Sequence, residues 1–149
     1  MNELQISSID KIEAYETLAR QAPQVDLPLE HIFAPGIYCR HLSIPKGIVL
    51  TGEIHKTRNL NILLKGRMKV LIGDDLRDIE APFVIVSPAG IKRIAEALED
   101  CIWLTIHATQ ETDINKIKDD FVVVTKEEYL KYIAQEPMLP FKELQLCTT

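Results

Sequence analysis

The feature that most constrains this chain is a succession of short β-prone runs, from Ile32 to about His107, each closed by glycine, proline or aspartate. Gly36–Ile44 is stopped by Pro45-Lys46-Gly47, and Ile48–His55 follows directly. Leu60–Gly73 is interrupted by a turn or bulge at Lys65-Gly66 and closed by the turn Gly73-Asp74-Asp75. Leu76–Glu80 alternates weakly, and Pro82–Gly90 and Cys101–Ala108 complete the series. Short strands at regular spacing predict a sandwich or barrel rather than βαβ units.

The flanks carry helical signals. Ser7 or Ser8 caps a first helix whose Ile9, Ile12, Tyr15 or Glu16, and Ala19 recur at helical spacing, and which stops before Pro23. Gln21–Pro28 reads as a linker. After the strands, Thr112–Phe121 is a short helical turn and Phe121–Val124 a strand. Thr125 with Glu128 forms a capping box that opens a helix ending before Pro137. The tail from Met138 has no clear pattern. The expected organisation is an N-terminal helix and linker over 1–30, a barrel over 31–110 and a C-terminal helical extension over 111–149.

Charge and cysteine usage narrow the partners. Seventeen Lys and Arg against 22 Asp and Glu leave a net charge of −5, which argues against binding a long nucleic acid. It does not preclude a local basic pocket. Three widely spaced cysteines, Cys39, Cys101 and Cys147, make neither a disulfide framework nor a CxxC metal site. The first 20 residues lack the apolar core of a signal peptide. The apolar runs are far shorter than the roughly 20 residues of a membrane-spanning helix. The expected setting is cytoplasmic, with no membrane partner.

Alternation assigns faces. Val49, Thr51, Glu53 and His55 share one face, against Ile48, Leu50 and Ile54. Asn59, Asn61 and Leu63 oppose Leu60, Ile62 and Leu64; Cys101, Trp103, Thr105 and His107 oppose Ile102, Leu104 and Ile106. The all-aliphatic faces read as buried packing. The polar faces read as a lined interior, because inward polar groups are costly unless they bind something or satisfy one another.

The spacing Gly47-x5-Glu53-x-His55-x3-Asn59-x6-Gly66 resembles the first motif of the cupin superfamily, and Pro88-x-Gly90-x2-Arg93 resembles the second. Pro82 and Ala97 stand where the second motif has its first glycine and its asparagine. The wording around these positions also resembles short cupin-like proteins encoded by bacteriophages. The resemblance covers about residues 36–108 and implies a mainly β, cupin-like small barrel (a double-stranded β-helix or jelly roll), here with a helix at either end. It also implies that such barrels often dimerise, so a homodimer is expected.

A metal-binding cupin supplies two histidines and a glutamate from the first motif and a histidine from the second. Here those positions hold Glu53, His55, Asn59 and Arg93. Arginine stays protonated and cannot ligate. No metal is therefore expected; the one set that remains open is Glu53, His55 and His107, suited to a transition metal. The same residues suit a small anion. Arg93 offers a planar fork for phosphate or carboxylate. Asn59, Asn61 and His107 add hydrogen bonds, Trp103 a stacking surface, and Lys56, with Arg58 and Lys92, a basic rim. His55 is a candidate general acid or base oriented by Glu53. Glu53 is expected to pair with Arg93 when the site is empty, or to read a hydroxyl or amine of the ligand.

The leading expectation is thus a barrel binding a nucleotide-like or carboxylate ligand, in the host cytoplasm and acting on defence signalling if the protein is a phage's. The alternatives are a metal-dependent oxygenase, isomerase or hydrolase, and a structural or assembly protein with no ligand. Residue by residue, bland readings stand beside these: Arg93 and Glu53 as a buried ion pair, Trp103 as core, and His107 as a satisfied core histidine. His31 and His41 read as structural or surface. Glu96, Glu99 and Asp100 read as a solvated turn, and Asp113, Asp119 and Asp120 as flanks of a short helix.

Overall fold

The computed structural model describes residues 3–72 and 74–135. Helix α1 spans Glu3–Ala19. Eight strands follow: β1 (Leu29–Ala34), β2 (Ile37–Ile44), β3 (Val49–Thr51), β4 (Ile54–His55), β5 (Asn59–Lys65), β6 (Arg67–Ile72), β7 (Asp75–Glu80) and β8 (Phe83–Ser87). Then come β9 (Ile94–Ala97), β10 (Cys101–Ala108), α2 (Ile114–Phe121), β11 (Val122–Val123) and α3 (Lys126–Gln135). One sheet runs β1-β2-β10-β5-β8 and a second β3-β9-β6-β7, with every pair antiparallel; β11 pairs with β4 alone. Neighbours are mostly non-consecutive, so the chain passes back and forth between two facing sheets.

Between the sheets lies the core: Leu42, Ile44 and Leu63 from the first sheet meet Met68, Val70, Ile79 and Ala97 from the second. Full burial of each large aliphatic side chain contributes roughly 1.5–3 kcal/mol. Three tight turns are set by Gly47, Gly66 and Gly90, with φ of 86°, 89° and 82°. These are the glycines of the motif-like spacing. At Gly66 a Cβ would also fall 2.4 Å from the Asp100 carbonyl oxygen, so both the backbone angle and the space demand glycine.

The flanking helices pack on each other against one end of the barrel. Ile9 of α1, Ile54 and Tyr129 of α3 form a second buried cluster. Lys126 pairs with Asp10, and its backbone N–H donates to Glu13 Oε1 at 2.8 Å. Glu16, the alternative to Tyr15 in the expected stripe, faces inward. Its Oε1 accepts from Thr51 Oγ1 at 2.6 Å and from buried Lys92 Nζ at 3.0 Å, which ties α1 to the barrel. The capping box forms as expected: the Glu128 N–H donates to Thr125 Oγ1 at 3.2 Å, and Glu128 Oε2 accepts from Val124 and Thr125 N–H.

Several expectations need correction. Helix α1 begins at Glu3, so Ser7 and Ser8 lie within it and not at its start; no glycine or proline interrupts residues 3–8. The turn expected over Thr112–Phe121 is a helix starting at Ile114, capped by Asp113, whose carboxylate accepts from Asn115 and Lys116 N–H. Strands β1 and β9 carry little alternation and were not anticipated. The run Ile48–His55 breaks between β3 and β4 at Gly52-Glu53, and its alternation slips by one. Val49 consequently faces out at 44% exposure while Leu50 packs on the core. The aliphatic faces of β5 and β10 are the barrel's outer wall: Leu64 is 53% exposed, and Leu60, Ile62, Leu104 and Ile106 are only half-buried. The opposite parity points inward because the polar residues line a cavity. The tail from Met138 and Cys147 lie outside the described residues; Cys39 and Cys101 are free thiols.

Candidate functional site

Antiparallel register stacks the inner side chains of the five-stranded sheet in layers. Leu29, Leu42, Trp103, Leu63 and Phe83 are cross-strand neighbours and form an apolar layer. Two residues along each strand, His31, Arg40, Thr105, Asn61 and Ile85 form a mainly polar layer. A further step brings Phe33, Tyr38 and His107 together, and pairs Asn59 with Ser87. Most of these side chains, though not Phe33, Leu63, Phe83 or Ile85, line a cavity of about 560 Å³. A volume of this size is typical of small-molecule sites.

Arg93 precedes β9 and reaches across the cavity. Its Nη1 donates to Ser87 Oγ at 2.6 Å and to Asn61 Oδ1 at 3.2 Å. Ser87 Oγ also donates to Asn61 Oδ1, and Asn61 Nδ2 donates to Thr105 Oγ1 at 3.2 Å. The guanidinium Nε and Nη2 are buried and have no partner among the described residues. Among the described residues Arg93 makes no ion pair, and burial lowers its pKa from the ordinary value. Asn59 Oδ1 and His55 Nδ1 are likewise buried and unsatisfied.

The site's ceiling is helical. Ile114, Ile117, Lys118 and Phe121 of α2 line the cavity, and Phe121 stacks on His107 with ring centroids 4.3 Å apart. His107 in turn stacks on His55 at 5.2 Å and on Tyr38 at 6.4 Å. Burial lowers the pKa of His55 to about 4, with smaller contributions from His107, Arg93 and Arg40; burial alone takes His107 to about 4. Both imidazoles are therefore neutral at pH 7. The charged residues on the cavity wall are Arg40, Arg93 and Lys118 against the single carboxylate Glu53, an excess of positive charge.

The structure brings Glu53, His55, Asn59, Asn61, Arg93, Trp103 and His107 to one cavity. It corrects several of their expected roles. Glu53 pairs with Lys118 at 3.5 Å, at the partly exposed edge of α2, and not with Arg93; the buried Arg93–Glu53 ion pair does not form. Nor does Glu53 orient His55, whose Nδ1 has no partner. Lys56 is not on the cavity wall. Its Nζ donates to the Asp119 carbonyl at 2.6 Å and sits 4.9 Å from the Tyr132 ring centroid. Lys92 is committed to Glu16 and so makes no rim. The break at Gly52 and the pairing of β4 with β11 turn the Lys56 region toward the helices.

The residues do not fit a cupin-type metal. Among the described residues, no three His, Cys, Asp or Glu side chains cluster as a metal-holding group. Of the open set, His55 and His107 adjoin, but Glu53 is drawn off by Lys118. The motif's last ligand position holds the Arg93 guanidinium, which repels a cation. Sequence reasoning missed Tyr38, Arg40, Ser87 and the whole of α2. Ser87 had a signal, as the polar end of the alternating Phe83-Ile85-Ser87 face. The spacing of Ile114, Ile117 and Phe121 marked an apolar helix face without saying where it docks.

No protein-family model and no curated protein matches this chain. Solved structures do. KdgF from a Halomonas species superposes with a TM-score of 0.50 at 14% identity, covering 64% of this chain and 93% of that one. A cupin superfamily protein from Desulfitobacterium hafniense gives 0.48 at 16% identity over 58% and 81% of the two chains. An RmlC-like cupin family protein with a double-stranded β-helix fold, from Methanocaldococcus jannaschii, gives 0.48 at 14% identity over 60% and 86%. The fold class is a mainly β, cupin-type double-stranded β-helix with helices in its N- and C-terminal regions. Among the described residues, no helix is long and apolar enough to cross a membrane.

Proposed function

We propose that this barrel binds a small organic anion, carboxylate or nucleotide-like, gripped by Arg93. One observation carries the reading: a buried guanidinium on a cavity wall, with Nε and Nη2 unpaired and no ion pair among the described residues. An uncompensated buried charge is costly, and a bound anion would remove that cost. Asn59 Oδ1 and His55 Nδ1 are further buried, unsatisfied atoms of residues that line the same cavity. Without Glu53 to orient it, His55 is assigned binding and not proton transfer. The phage-like wording of the sequence supports a host small molecule as the ligand, nucleotide signals included, in the host cytoplasm. The uncharged, half-exposed outer wall of β5 and β10 supports a homodimer.

Calorimetric titration against nucleotides and small carboxylates tests the reading. At least one anion is expected to bind, and Arg93→Met to weaken it at least 30-fold, the lower end for losing a buried charged partner. No binding by folded protein, or binding indifferent to Arg93→Met, overturns it.

A further inference from the structure

We infer that the ligand is an amphiphile: a single carboxylate head on an apolar body. This rests on the anion-binding reading and specifies its ligand class. Three observations on the cavity lead to it.

The first is which edge of Arg93 is free. Nη1 is spent on Ser87 and Asn61, while Nε and Nη2 are unpaired. Those two N–H groups lie on one side of the planar guanidinium and point the same way. They match the two oxygens of one planar carboxylate, as a bidentate pair. His55 and His107, at the same end, are neutral near pH 7, and Lys118 is paired with Glu53, which leaves Arg40 as the other unpaired cation on the described wall.

The second is the gradient down the barrel. The layer of Arg40, Thr105 and Asn61 gives way, two residues on, to Leu42 and Trp103. Across the cavity the second sheet contributes Leu50, Ala95, Val70 and Met68. Polar groups are thus confined to one end, and the other end offers a ligand only dispersion contacts.

The third is volume. A liquid water occupies about 30 Å³, so a carboxylate head fills a small part of the 560 Å³. Water is a poor tenant for the remainder, since a stable site needs about 2–4 polar partners per molecule. An alkyl or aryl body fits that space. A ribose would have to leave its hydroxyls unpaired against Leu50, Met68 and Val70.

Titration of the full chain with butyrate, hexanoate, octanoate, decanoate and adenosine monophosphate tests this. Affinity is expected to rise about fourfold per methylene, or about 16-fold per step, until the apolar end is full. Adenosine monophosphate should bind more weakly than octanoate. Arg93→Met, and separately Arg93→Lys, which keeps the charge but loses the fork, should weaken every carboxylate by a similar factor. Ala95→Leu, which narrows the apolar end, should cap the gain at a shorter chain. A flat chain-length series that still depends on Arg93 overturns the amphiphile and leaves the anion reading standing. So does adenosine monophosphate binding tighter than octanoate. Binding of none of these probes, or binding that ignores Arg93, overturns both.

Discussion

The neutral histidine pair makes stability fall with acid in a window where carboxylates contribute little. His55 and His107 each have a folded pKa of about 4 against an ordinary 6.5. Between those values the unfolded chain binds protons that the native state refuses, so stability is full above about pH 6.5 and is lost as pH falls toward 4. The complete shift of 2.5 units corresponds to about 3.4 kcal/mol per histidine at about 1.36 kcal/mol per unit. The part falling between pH 7.5 and 5.0 is about 2 kcal/mol each. Because His55 is not fully enclosed and the cavity admits solvent, the expected combined loss is about 3 kcal/mol rather than 4. Urea unfolding at pH 7.5, 6.5, 5.75 and 5.0 measures it. Trp103, the only tryptophan, sits on the inner wall and reports the transition. His55→Gln should remove about half of the dependence. A loss below about 1 kcal/mol over the same interval would show that the imidazoles are hydrated and refute the reasoning.

Three further outcomes follow from named contacts. Lys118→Ala removes the partner of Glu53 at the edge of α2; it should cost under about 1 kcal/mol, as exposed pairs do, yet speed amide exchange in α2. Gly66→Ala should lower stability by about 2–4 kcal/mol in chemical denaturation, because a Cβ there meets the Asp100 carbonyl at a φ of 89°. Thr125→Ala should cost about 1 kcal/mol by thermal unfolding, the usual worth of an N-cap hydroxyl, with α3 still formed.

Much of the barrel was legible because its signals are local. Gly47, Gly66 and Gly90 mark turns whose positive φ any L side chain resists, and their spacing survives without the metal ligands. Alternation along β5 and β10 put Asn59, Asn61, Thr105 and His107 on one face, since a strand's period is two whatever it packs against. Alternation cannot say which face is inside. The aliphatic face of β10 looked like core and is the outer wall, because the cavity selected the polar parity. A two-residue break at Gly52-Glu53 moved Val49 outward, and Glu53 pairs with Lys118 instead of Arg93. The partner that Glu53 found, Lys118, is 65 residues away on a helix whose docking no local pattern encodes. The chain alone therefore determined the strand periods, the turns, the capping box and the replacement of a metal ligand by arginine. Only tertiary contact decided that Arg93 would lie beside Ser87 and Asn61 with Nε and Nη2 unpaired, and that α2 would roof the site. Partners so far apart in sequence are chosen by how the sheets and helices pack.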